Sequence, residues 1–145
     1  MLISRGKEKK TLLEALQSED SQFIAVYGRR RVGKTYLIRQ TYDKMLTFEH
    51  SGLANGGRKE QIHAFTASIK RAGLEAPVMP TNWLDAFELL KDLVEKSGEN
   101  KKVLFIDELS WMDTPKSGLL VALENFWNLK SRHFIPRTIL GRAPA

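Results

Sequence analysis

Cysteine is absent from the 145 residues, which excludes disulfide bridges and thiolate metal sites and fits a cytoplasmic protein. No apolar run approaches the roughly 18 residues that a bilayer span requires, so no membrane partner is expected. The N-terminal stretch mixes Arg5, Lys7, Lys9 and Lys10 with Glu8 and lacks the apolar segment of a secretory signal. Histidine is scarce. His50, His63 and His133 stand apart without ligand spacing and read as ordinary polar positions. Repeats and low-complexity tracts are missing too, which leaves one small domain, long enough to bury a core. Its formal charge is +6, from 23 Lys and Arg against 17 Asp and Glu. These cations are spread along the chain with no recognition motif beside them, so charge alone lends only weak support to a nucleic-acid partner.

What is present is a phosphate-binding pattern. Gly28-Arg29-Arg30-Arg31-Val32-Gly33-Lys34-Thr35 fits G-x-x-x-x-G-K-[ST], the P-loop. The apolar run Phe23-Ile24-Ala25-Val26-Tyr27 leads into it as a buried strand, and Thr35-Tyr36-Leu37-Ile38-Arg39-Gln40 continues it as a helix. That order wraps backbone N–H groups around a phosphate chain at the positive end of a helix. Four fixed positions match by chance in roughly one chain of this length in a few hundred, and the flanking strand and helix make chance rarer. Gly28 and Gly33 let the main chain approach phosphate oxygens closely. Lys34 sets an ammonium between the β- and γ-phosphates, and the Thr35 hydroxyl is a hard oxygen ligand for Mg²⁺. Arg29, Arg30, Arg31 and Val32 fill the variable positions. The three arginines read either as a solvated basic loop or as contacts to phosphate or an acidic partner.

Hydrolysis also needs a carboxylate for the metal and a base for water. Lys102-Val103-Leu104-Phe105-Ile106-Asp107-Glu108 supplies both. Four consecutive apolar residues read as a strand buried on both faces, as parallel sheets require. The acids follow where its carboxyl end emerges, the edge at which open α/β sheets bind ligands. Asp107 fits the Walker B role, holding Mg²⁺ directly or through a water, and Glu108 fits a general base. Two acids can simply end a strand, so the pair is a weak signal alone. Downstream of a P-loop it becomes a strong one.

With these motifs the chain resembles the AAA-related prokaryotic (archaeal-type) ATPases, a branch of the P-loop NTPases with a Glu beside the Walker B Asp. The resemblance runs from Phe23 through Thr35 and from Phe105-Ile106-Asp107-Glu108-Leu109-Ser110-Trp111-Met112-Asp113 to the helix ending at Phe126-Trp127-Asn128. It implies an AAA-like fold, ATP rather than GTP as nucleotide, and Mg²⁺ as cofactor. Such domains are usually followed by a helical lid and a region resembling a winged helix or a nuclease, and relatives often act as assemblies. A protein partner or a homo-oligomer is therefore an implied alternative to a chain acting alone. Two segments depart from the family. Ser4-Arg5-Gly6-Lys7-Glu8 rearranges a Gly-Arg-x-x-Glu-like start near the adenine pocket, and Arg5 and Glu8 read equally well as an ordinary charged helix start. After residue 128, where relatives carry a buried strand that senses the γ-phosphate, Pro136 interrupts the only apolar stretch. No sensor strand is expected there, and the tail reads as truncated or frame-shifted.

The remaining pattern alternates α and β. Helices are predicted over residues 7–17, 58–71 and from the N-cap Thr81 to about residue 96, with Gly73 as the stop of the second. Ile62, Phe65 and Ile69 share one helical face, as do Trp83, Leu84, Phe87, Leu90 and Val94. Residues 46–49 form a possible short strand, 51–57 a Gly-rich loop, and 116–129 a final helix with Leu119, Leu120, Leu123 and Phe126 inward. The expected architecture is thus α/β: a P-loop NTPase fold, a mostly parallel sheet flanked by helices, incomplete at the C-terminus. Residues 1–128 form the ATPase domain and 129–145 an atypical tail. The expected function is Mg²⁺-dependent binding and hydrolysis of ATP. The alternative is a non-catalytic nucleotide-binding switch, or a truncated remnant lacking the sensor strand and lid.

Overall fold

The computed structural model describes residues 2–3, 22–26, 46–76, 78–97, 103–130 and 137–140. Their strands are β1 (Leu2–Ile3), β2 (Gln22–Val26), β3 (Leu46–Ser51), β4 (Val103–Asp107) and β5 (Arg137–Leu140). They form one sheet in the order β1-β5-β2-β4-β3, and every neighbouring pair is parallel. Parallel neighbours need crossovers, which the alternating pattern supplies. β4 is buried at all five positions, as the unbroken apolar run requires of a strand covered on both faces.

The tail contributes to this sheet, contrary to the expectation of no strand there. The strand Arg137–Leu140 follows Pro136 in the chain and contains no proline of its own. β5 pairs with β2 on the side away from β4, matching Ile24 with Thr138. β2 and β4 are therefore direct neighbours, with Ala25 opposite Ile106.

Against β3 and β4 packs a helical layer of α1 (Arg58–Arg71), α2 (Trp83–Ser97) and α4 (Leu119–Lys130), with α3 (Leu109–Met112) a single turn after β4. Leu104 and Ile106 of β4 join Phe48 and the inward faces of α1, α2 and α4 in one apolar cluster. Phe65 sits at its centre, with ring contacts to Phe48, Trp83 and Phe87 at centroid distances of 5.1–5.3 Å. The helical face of Ile62, Phe65 and Ile69 is buried as its spacing requires. Leu84, expected inward, is half-exposed, because α2 begins with Trp83 already filling the core position.

Helix ends follow local chemistry. Gly73, at φ 112°, ends α1: its N–H reaches Lys70 O at 3.0 Å and the Leu74 N–H reaches Ile69 O at 3.3 Å. This is a Schellman stop, which glycine serves without a Cβ penalty. At α2 the cap is Asn82 and not Thr81. Asn82 Oδ1 accepts from the Asp85 N–H at 2.8 Å, and its Nδ2 donates to Asp85 Oδ2 at 3.1 Å. Asparagine one residue later outcompetes threonine because the helix then starts on Trp83. The helices expected over residues 7–17 and after Thr35 lie outside the described residues. Within the described residues, no helix is long and apolar enough to cross a membrane.

Candidate functional site

The two acids stand where β4 ends. Asp107 is its last residue, 1% exposed, and shares the alternating face of Val103 and Phe105. Its Oδ1 accepts from the Glu108 N–H at 2.9 Å. Glu108 turns sharply out of the strand into α3, with φ 58° and ψ 41°. A left-handed glutamate carries no compensation from its own side chain and costs on the order of 1–3 kcal/mol. It is also only 8% exposed, and its Oε1 has no hydrogen-bond partner among the described residues. Strain and an unsatisfied buried oxygen at one residue are tolerated at sites where the geometry serves a ligand.

The neighbouring strand end completes this corner. Ser51 lies opposite Asp107 in the β3–β4 register, and the Gly52 N–H donates to Asp107 O at 3.0 Å. Leu53 and Trp111 flank the corner at 41% and 40% exposure, whereas Met112 is fully buried. Met112 packs, and Trp111 stands half out.

His50, read as an ordinary polar position, is instead buried in β3 between Phe48 and Phe65. Its Nδ1 lies 2.7 Å from Ser68 Oγ, which accepts from Arg71 Nη2 at 2.8 Å. Burial, with the Arg71 guanidinium adding to it, lowers the His50 pKa from 6.5 to about 4. Alternation with Phe48 on a strand facing α1 was the signal available for this burial. Beside this group a cavity of about 400 Å³ opens between β3 and α1; neither acid lines it.

The P-loop residues Gly28, Arg29, Arg30, Arg31, Val32, Gly33, Lys34 and Thr35 lie outside the described residues, as do Arg5 and Glu8. The described part of the approach is β2, whose carboxyl end at Val26 precedes Gly28 by two residues and lies one strand from the Asp107 end of β4.

Residues 2–139 match the family described as an ATPase domain predominantly from Archaea. The chain belongs to that family. The match includes β5 up to Ile139 as well as both motif regions. A weaker likeness links it to an uncharacterized protein of Methanocaldococcus jannaschii, 28% identical over 108 residues, or 74% of this chain. The matched part spans only 22% of that relative's length. No solved structure matches the chain.

Proposed function

We propose that this archaeal-type ATPase domain binds Mg²⁺·ATP at the carboxyl edge of its sheet and hydrolyses it. The observation that carries the reading is the adjacency of β2, which leads into residues 28–35, and β4, which ends in Asp107 and Glu108. Adjacent parallel strands bring their carboxyl ends to one edge, about 5 Å apart. In this reading the backbone of Gly28, Arg29, Arg30, Arg31, Val32 and Gly33 cradles the phosphates, and Lys34 neutralises the β- and γ-phosphate charge.

The donor set fits a hard divalent cation. Asp107 offers a buried carboxylate and Thr35 a hydroxyl, and Mg²⁺ takes few protein oxygens beside water and phosphate. Such an ion supplies charge neutralisation on the transferred phosphoryl group. Glu108 orients the attacking water and receives its proton. Its buried Oε1, without a hydrogen-bond partner among the described residues, is suited to that task.

The test is ATP binding and phosphate release by the chain beside Lys34→Ala and Glu108→Gln. Lys34→Ala should abolish binding. Glu108→Gln should bind normally and lose turnover by on the order of 10²-fold or more. Equal ATP affinity in wild type and Lys34→Ala would refute the site, and binding without any phosphate release would instead make the domain a nucleotide-holding switch.

A further inference from the structure

The loop leaving β3 is built as a stop against the acid turn. Through its bond to Asp107 O, Gly52 extends the β3–β4 ladder one step past the strand. A Cβ on Gly52 would overlap the Glu108 carbonyl oxygen and come within 2.9 Å of Met112 Cγ. Neither neighbour has room to retreat. The Glu108 carbonyl accepts from the Trp111 N–H at 3.0 Å, and Met112 is fully buried. The Glu108 peptide is thus fixed between Gly52 and Trp111.

The loop is fixed in turn by Gln61 of α1, which has no exposed surface. Its Oε1 accepts from Leu53 N at 3.0 Å, and its Nε2 donates to Leu53 O at 2.7 Å and Gly56 O at 3.0 Å. An amide that meets both backbone groups of one residue and a third group nearby leaves the loop a single arrangement. A contiguous set of rigid contacts therefore runs from α1, through Leu53 and Gly52, to the backbone of Glu108.

We infer that Gly52 and Gln61 are positioning residues for Glu108. Gln61 sets the loop, and Gly52 sets the left-handed peptide from which the Glu108 carboxylate projects. The inference rests on the hydrolytic role proposed for Glu108. A Cβ at Gly52 displaces the Glu108 carbonyl, and the backbone relaxes away from φ 58°. That rotation swings the Glu108 Cβ, and with it the carboxylate. Misplacing a group by about 1 Å costs on the order of 10²-fold in rate.

The experiment measures turnover and ATP affinity of Gly52→Ala and Gln61→Met, each alone and combined with Glu108→Gln. Glu108 ¹³Cα and ¹³Cβ shifts are recorded in parallel as a direct report on its backbone. Each single variant should lose turnover by on the order of 10²-fold with ATP affinity unchanged. Neither should lower the rate further once Glu108 is Gln, and Gly52→Ala should move the Glu108 shifts off left-handed values. Full turnover in both folded variants, or losses that multiply with that of Glu108→Gln, overturns the inference. If Gly52→Ala does not fold, Gln61→Met carries the test, because it places no added atom against the Glu108 carbonyl. If Glu108→Gln leaves turnover intact or the wild type has none, the hydrolytic reading falls by itself. The shifts then decide, and left-handed values retained in both variants overturn the positioning role.

Discussion

The main-chain N–H of Glu108 donates to Oδ1 of Asp107, its immediate predecessor, at 2.9 Å. The bond closes the carboxyl end of β4 on itself and turns the next residue into the left-handed region, at φ 58°. Asp107 thereby stays in the sheet while Glu108 leaves it.

This arrangement predicts a conflict between stability and activity at Glu108. Asparagine adopts left-handed backbone more readily than glutamate and brings no buried charge. Glu108→Asn should therefore be more stable than Glu108→Gln, which keeps the strain, by on the order of 1 kcal/mol. On a chain of this size that is about 3 °C in Tm. Both variants should lack phosphate release. Calorimetry of the two side by side checks it, and equal Tm values would show that the left-handed geometry carries no strain.

His50 predicts a pH dependence with a definite sign. Its folded pKa, about 4, lies below the ordinary 6.5 because burial, reinforced by Arg71, opposes the charged ring. The unfolded chain therefore binds the additional proton between those values. The resulting stability is present in full above pH 6.5 and is lost as pH falls toward 4. The integrated effect is up to about 3 kcal/mol. His50→Phe, placed among Phe48 and Phe65, should flatten the pH 4.5–6.5 slope of denaturant stability relative to wild type. An unchanged slope would assign the acid sensitivity to other groups.

The parts of the fold legible in the sequence are those that repeat over a long window or end on a residue of special conformation. α1 shows both, with Ile62, Phe65 and Ile69 buried on one face and Gly73 at its end. β4 shows an apolar run too short for a helix between turn-forming residues, followed by acids. β5 is hidden because Pro136 breaks the apolar pattern, although a proline ahead of a strand removes no hydrogen bond from that strand. The burial of His50 and Gln61 was hidden for a different reason. Each bonds a partner distant in sequence, at 18 residues for His50–Ser68 and 8 for Gln61–Leu53. No local period encodes such pairs. Gly52 was legible only as a loop glycine. Its importance comes from the Glu108 carbonyl, more than fifty residues away in the chain.

The cap of α2 separates two neighbouring residues by function. Asn82 bonds the Asp85 N–H and side chain at once, whereas Thr81 precedes the cap. Asn82→Ala should cost about 1 kcal/mol, and Thr81→Ala should stay within about 0.5 kcal/mol of wild type. Urea unfolding of both variants decides the assignment. A larger loss at Thr81 would move the helix start back by one residue.

Asp107→Asn separates the two jobs that the proposed site gives Asp107. The amide oxygen of Asn can still accept from the Glu108 N–H, so the turn and its left-handed residue should survive. What is lost is the negative charge offered to Mg²⁺, which binds neutral amide oxygens far less well than carboxylates. ATP affinity measured without Mg²⁺ should then match wild type, while the gain on adding Mg²⁺ should shrink by on the order of tenfold or more. Calorimetric titration of ATP at zero and at saturating Mg²⁺ gives both numbers for each protein. An equal Mg²⁺ effect in the two would remove Asp107 from the metal site and leave it as the residue that shapes the turn. A loss of affinity without Mg²⁺ would mean instead that the charge, and not only the hydrogen bond, holds the corner in place.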